Sequence, residues 1–351
     1  MLFNPLQIGS VSLANRMLMA PLTRARASAG HMPNALMAEY YAQRASAGLI
    51  ITECTMIAEN TSAFVNEPGI YNAAQIEAWK ETTAAVHAKG GKIFMQIWHA
   101  GRAAHPANNG GAPIVSSSPL ALQGDAHTAQ GKLPQATPQA LLESEIAPIV
   151  QAFAQAAKNA MAAGFDGVEV HGANGYLIDQ FLRDSANQRS DSYGGTLEQR
   201  ARFLFEVLTA VCAAIGSDRV GLRLSPLNSY NDMKDSDPLA WTAYLAEQLN
   251  RFDLAYLHIM RADFFGLQKA DVMPFARAHY KGVLIGNMGY TPAEAEAATT
   301  EGKLDAVAFG NGFLANPDFP ARVKAGAAMN VPDQSTFYTP GAKGYTDYPT
   351  L

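Results

Sequence analysis

The sequence predicts an α/β fold in which strand–helix units close into one (β/α)8 barrel spanning residues 1–351. Three observations lead there. Short apolar runs alternate with longer amphipathic stretches, the pattern of βα units around a parallel sheet. The units number about eight, at which such a sheet closes. The strand that would open a dinucleotide-binding fold is not followed by Gly-x-Gly-x-x-Gly. The Gly-rich sequence falls late instead, as Ile285-Gly286-Asn287-Met288-Gly289-Tyr290, and closed barrels keep their phosphate sites after the seventh and eighth strands.

By hydrophobic period, the strands are Arg16–Ala20, Leu49–Thr52, Lys92–Ile97, Gly167–His171, Val220–Leu224, Ala255–His258, Gly282–Gly286 and Ala306–Phe309. The helices between them are Asn34–Ser46, Ala73–Lys89, Leu142–Gly164, Thr196–Ile215, Pro238–Asn250, Phe265–His279, Thr291–Glu301 and the segment after Pro317. The one long irregular stretch, Ala103 to Ala140, is rich in Gly, Pro and Ser. It follows the third strand and reads as a lid rather than an interdomain linker, so one domain is expected.

With 48% hydrophobic and 16% charged residues, the chain has the balance of a globular protein with a sizeable core. Net charge is −5 and no Lys/Arg cluster tracks a phosphate backbone, which argues against nucleic acid and for small-molecule partners. Cys54 and Cys212 are the only cysteines, too few for a disulfide framework, a zinc site or an iron–sulfur cluster, and they suit a reducing cytoplasm. The opening Met1-Leu2-Phe3-Asn4-Pro5 lacks a basic n-region and breaks at Pro5, so it does not read as a secretory signal. No apolar run reaches membrane-spanning length. Oligomeric state is left open.

Barrel active sites gather at the C-terminal ends of the strands. Four polar groups fall there: Ala20-Pro21-Leu22-Thr23-Arg24, Gln96-Ile97-Trp98-His99-Ala100-Gly101-Arg102, His171-Gly172-Ala173-Asn174-Gly175-Tyr176 and Gly221-Leu222-Arg223-Leu224. Alternation along a strand puts Gln96 with Trp98 on one face and Glu169 with His171 on one face. If those faces point inward, a carboxylate and a guanidinium enter the barrel and need partners. Glu169 is expected to meet a cation such as Arg223 on the next strand.

These motifs, with Met19 before the first, Ile51-Thr52-Glu53 and the run His171 to Leu182, resemble the signatures of the Old Yellow Enzyme family and occur in its order. The likeness runs from Phe3-Asn4-Pro5 to Gly344-Tyr345-Thr346-Asp347-Tyr348-Pro349. It implies a flavin mononucleotide (FMN) dependent ene-reductase that takes hydride from NADPH or NADH and reduces the C=C bond of α,β-unsaturated carbonyl compounds, with nitroalkenes and nitrate esters as further substrates. Ala20, Pro21, Leu22 and Thr23 then line the flavin ring, with the Thr23 hydroxyl on O4. Cys54 meets the ring through its backbone, and Gln96 serves the uracil-like edge, since an amide both donates and accepts. Arg223 stands by N1 and O2. His171 and Asn174 resemble the pair that donates to the substrate carbonyl, and Tyr176 resembles the proton donor. Tyr71, Trp98 and Tyr338 match aromatic positions of the substrate pocket. The backbones of Met288, Gly289, Gly310 and Asn311, with a helix N-terminus, remain for the phosphate.

Two departures stand out. The family's usual Gly-Arg is here Gly310-Asn311, which removes a phosphate cation, and Met260-Arg261-Ala262-Asp263 follows the sixth strand where many relatives read differently. Each residue alone has a structural reading: His171 as a strand-end hydrogen bonder, Thr23 as a turn hydroxyl, Trp98 and Cys54 as core, Arg223 as a salt bridge. Their co-occurrence favours function. The rivals are a dienoyl-CoA reductase-like flavoenzyme, which would bring iron–sulfur cysteines and further domains, a non-catalytic flavin-binding protein, and a metal-free barrel isomerase.

Overall fold

A computed structural model describes all of residues 1–351. Eight parallel strands form a closed ring: β1 (Met17–Met19), β2 (Ile50–Ile51), β3 (Ile93–Trp98), β4 (Gly167–Gly172), β5 (Val220–Leu224), β6 (Tyr256–Met260), β7 (Leu284–Asn287) and β8 (Ala306–Phe309), with β8 pairing back to β1. Thr55–Met56 adds a short ninth strand at the end of β3. Each ring strand is followed by a helix: α1 (Ala35–Gln43), α2 (Ala73–Ala88), α3 (Glu143–Ala162), α4 (Leu197–Ile215), α5 (Pro238–Leu249), α6 (Met273–His279), α7 (Pro292–Thr300) and α8 (Phe319–Ala325). Side-chain caps start several of them. Asn34, Asn72, Thr196, Asp237 and Thr291 each accept a first-turn N–H, and Thr196 and Thr291 complete capping boxes with Gln199 and Glu294. No helix is long and apolar enough to cross a membrane.

Period-2 alternation divides the core in two. Outward residues such as Met19, Met95, Val170, Leu222, Leu257 and Val307 join the large cluster under the helices. Inward Leu18, Ile51, Phe94, Tyr256, Ile285 and Ala306 make a smaller cluster inside the barrel. That inner cluster includes Ile8, Val11 and Leu13 of the antiparallel hairpin Leu6–Ile8/Val11–Leu13, which packs across the N-terminal end. Gly221 makes room for the Tyr256 ring, because a Cβ there would come within 2.2 Å of it.

Two expectations need correction. Helix α6 begins at Met273 rather than Phe265. The Asp263 carboxylate accepts the N–H groups of Phe265, Leu267 and Gln268, and Gly266 adopts φ +65°, so the first half of the expected helix is a loop folded around one side chain. Ala103–Ala140 is less irregular than its composition suggests. It holds a hairpin, Asp125–Thr128 with Gly131–Pro134, and a parallel pair, Val115–Ser116 with Gln139–Ala140.

Candidate active site

The strands bring their polar inward residues to the C-terminal end. Parallel register sets Gln96 beside Glu169, His171 beside Arg223, and Arg223 beside His258. Glu169 is fully buried and accepts from the Gln96 amide at 2.8 Å, His258 Nδ1 at 2.8 Å and the Tyr256 hydroxyl at 3.1 Å. Burial alone would raise its pKa, but His258, Arg223 and Gln96 outweigh that and hold it low. The expected Glu169–Arg223 contact is absent. The residue opposite Glu169 on β5 is Gly221, and Arg223 lies one inward step nearer the mouth, where its Nη2 donates to Asn287 Oδ1 at 2.8 Å. Asn287 in turn donates to the Ala308 carbonyl at 2.7 Å, which ties β5 through β7 to β8.

Above this layer the end of β4 carries His171, and the loop that follows carries Asn174 and Tyr176. Asn174 and Gly175 take φ of +59° and +72°. Ser225 Oγ accepts the Asn174 N–H, Asp179 accepts the Gly175 N–H, and Asn231 donates to the Asn174 carbonyl. These bonds hold a conformation that is costly for a residue bearing a Cβ. The Tyr176 ring packs edge-on against Trp98 at 4.3 Å and lies 5.3 Å from His171. Burial, reinforced by Tyr230, Cys54, Tyr338 and Glu67, pushes its phenol well above the ordinary value. Burial, with Arg223 and His258 nearby, pushes the His171 imidazole well below its usual range. His171 is therefore neutral, and its Nδ1 has no partner.

Asn228 settles which way Asn174 faces. Its Oδ1 accepts the Phe264 backbone N–H at 3.2 Å, and a backbone N–H can only donate. The Asn228 amide nitrogen therefore points at Asn174, whose Oδ1 accepts it at 2.8 Å. The Asn174 NH2 is left as a donor at the cleft it lines.

That cleft, of about 630 Å³, runs from Asn174, Tyr176 and Arg223 past Ala20, Pro21, Leu22 and Thr23 to Met288, Gly289, Gly310 and Asn311. Thr23 Oγ1 lies 3.2 Å from Cys54 Sγ, and burial raises the Cys54 thiol well above its ordinary pKa, so it is not a nucleophile. Gln96, Trp98 and His171 stand beneath or beside the cleft, almost wholly buried. Tyr338 is 63% exposed, a rim residue stacked on Phe64. Tyr71 is not brought to the cleft; its ring lies against Gly69, and Phe64 from the preceding turn reaches over Trp98 instead. Sequence patterning does not single out Phe64, Asn228, Tyr230, Phe264 or Asn287. The signal available for Asn228 and Tyr230 is position, in the loop that follows Arg223 at the C-terminal face.

The residues fit an FMN. The cleft's donors await acceptors: Arg223 Nε is buried without a partner, as is His171 Nδ1. The N–H groups of Met288, Gly289, Gly310 and Asn311 make no backbone or side-chain hydrogen bond within the chain. A flavin's N1 and O2 edge supplies acceptors at one end and a phosphate dianion supplies them at the other.

Comparison with known proteins agrees. The model of the NADH:flavin oxidoreductase / NADH oxidase family matches residues 1–330. A probable flavin mononucleotide-dependent alkene reductase of Leishmania infantum is 51% identical, over 100% of this chain and 97% of its own length. The Old Yellow Enzyme structure from Trypanosoma cruzi superposes with a TM-score of 0.97 at 44% identity, covering 100% of this chain and 98% of that one. Morphinone reductase in complex with tetrahydroNAD gives 0.95 at 45% identity, with 100% and 97% covered. The chain belongs to the NADH:flavin oxidoreductase / NADH oxidase family, and its solved structural neighbours include Old Yellow Enzymes.

Proposed function

We infer that this chain is an FMN-dependent alkene reductase of the Old Yellow Enzyme type, acting on α,β-unsaturated carbonyl compounds. The observation that carries the reading is the convergence of an oriented Asn174 amide, a neutral His171 and a protonated Tyr176 over one cleft whose unpartnered donors suit a flavin. When bound, FMN would supply the hydride chemistry between a nicotinamide reductant, NADPH or NADH, and the alkene. A nicotinamide reductant is supported by the tetrahydroNAD bound to morphinone reductase.

The chain's own groups do the rest. The Asn174 NH2 and a His171 N–H donate to the substrate carbonyl oxygen, stabilising the negative charge that grows there as the double bond accepts hydride. A neutral imidazole does this without discharging a proton. Tyr176 holds its proton because burial disfavours the phenolate, and delivers it to the α-carbon. Arg223, whose charge Glu169 balances from below, would stabilise the negative charge that reduction brings to the flavin's N1 and O2 edge, and Gln96, bonded to Glu169, would serve its uracil-like edge. Thr23 and the backbones of Ala20, Pro21, Leu22 and Cys54 would hold the ring, Met288, Gly289, Gly310 and Asn311 would hold the phosphate, and Trp98 and Tyr338 would shape the substrate side.

Residues 1–351 act as one domain, with Ala103–Ala140 as a lid. Its Ala104 and Ile114 pack with Trp98 and Tyr176. The free Cys54 and Cys212 suit a reducing cytoplasm. Nitroalkenes and nitrate esters are further substrates.

The test is one cuvette. Purified protein is expected to be yellow from noncovalent FMN, to bleach anaerobically with NADPH and to recover colour on adding 2-cyclohexenone. Release of FAD on heating, or no flavin after supplementation, would overturn the reading.

A further inference from the structure

The far end of the cleft has no cation in its wall. Arg223 is the only Lys, Arg or His among the lining residues, and Asn311, exposed and with no side-chain partner, stands where the family places an arginine. Behind that wall is Arg261, directly after β6. Its Nε donates to the Met288 carbonyl at 2.9 Å and its Nη2 to the Gly289 carbonyl at 2.8 Å. The guanidinium lies 3.6 Å from the centroid of the Tyr290 ring, with Glu294 at 3.5 Å. A planar fork held by four partners has one orientation.

That orientation dictates the turn. Met288 and Gly289 take φ of +80° and +71°, and the first is unfavourable for a side chain bearing a Cβ unless something enforces it. In a trans peptide the N–H is antiparallel to the C=O. With both carbonyls drawn to Arg261, the N–H groups of Gly289 and Tyr290 point the other way, and neither has a partner within the chain. Met288, Gly289 and Tyr290 all line the cleft. Two successive free N–H groups on one side of a turn make an anion-binding concavity.

We propose that Arg261 is the positioning residue of the phosphate cradle: by holding the Met288 and Gly289 carbonyls it aims the Gly289 and Tyr290 N–H groups at the FMN phosphate, and its charge behind the turn takes over the part of the arginine absent at 311. This rests on the FMN reading above. Arg261 is not among the residues that line the cleft, so its effect is expected at the phosphate turn and not at the ring or the substrate.

The test uses full-length protein loaded with FMN or with riboflavin, which lacks the phosphate, and follows flavin release on dilution by fluorescence. Arg261→Gln is expected to weaken FMN about 10–100-fold and leave riboflavin unchanged. Arg261→Lys, which keeps the charge but not the fork, is expected to fall between Gln and wild type. Equal losses for both flavins in Arg261→Gln would make Arg261 merely structural and overturn the proposal. So would an unchanged FMN affinity, or a lysine variant indistinguishable from wild type. Wild-type protein that held FMN no more tightly than riboflavin would remove the phosphate cradle altogether and the proposal with it. Wild-type protein that held no flavin at all would instead strike the FMN reading itself.

Discussion

The two ends of the cleft are made of different material. On the proposed function, the work at β4 and β5 falls to side chains: Asn174 and Arg223 are bonded to buried neighbours, and His171 and Tyr176 are held by ring packing with Trp98 and each other. Beyond β7 and β8 it falls to backbone N–H groups in a turn held from outside by Arg261. Chemistry that demands a particular proton or donor is thus fixed by residue identity. Binding a diffuse dianion needs only N–H groups in the right conformation, which many sequences supply. Substitutions at the first end should therefore abolish a step, and those at the second should tune an affinity.

The sharpest test of this contrast is Tyr176→Phe. Reoxidation by 2-cyclohexenone should slow by about 10²–10⁴-fold, the usual worth of a positioned general acid, while anaerobic bleaching by NADPH keeps nearly its wild-type rate. Nitroalkenes, whose nitronate products can leave unprotonated, should be much less affected. Stopped-flow traces with equal enone rates would remove Tyr176 as the donor.

Next in size, His171→Ala or Asn174→Ala should weaken binding of phenols and enones by about 10–100-fold with flavin retained. Asn228→Asp should do much the same without touching the ligand. An acceptor-only carboxylate at that position forces Asn174 to turn its NH2 inward and present its oxygen to the carbonyl. The long-wavelength band that phenols induce reports both. Its appearance at wild-type concentrations in Asn228→Asp would show that the amide orientation is not held there.

At the other end Asn311→Arg should tighten FMN by about 1 kcal/mol, modest because the position is exposed. Unchanged affinity in a dilution assay would mean that the cradle is already saturated. The smallest effect concerns stability. Burial pushes the Glu67 carboxyl, which anchors the Phe64 turn, up to about 7. A carboxyl raised above its unfolded value contributes stability that is full below about pH 4.5 and lost as pH rises through 7. Glu67→Gln should therefore raise Tm by roughly 1–3 °C at pH 8 relative to wild type and leave it unchanged at pH 4. Parallel shifts at both pH values would exclude the titration.

The barrel is legible in the sequence because alternation and unit count are carried by every strand. The side-chain end is legible because His171, Asn174 and Tyr176 fall in one short run. What the sequence hides is relation across strands and loops. Adjacency pairs Glu169 with Arg223 because stagger cannot be read from it; in the folded register Gly221 faces Glu169. The apolar run after Asp263 starts helix α6 too early because it says nothing of a carboxylate folding back on its own backbone. Asn228 acts through the N–H of Phe264, from a different loop, and no spacing announces that. The phosphate end hides most, because a backbone N–H is the same in every residue but proline.

The N-terminal hairpin, finally, seals the barrel floor with Ile8, Val11 and Leu13. Ligands therefore reach the cleft from the opposite, C-terminal side of the barrel. On the proposed function, reductant and alkene share that approach and use it in turn, so crowding by either is expected to delay the other and throughput to peak at intermediate concentrations of both.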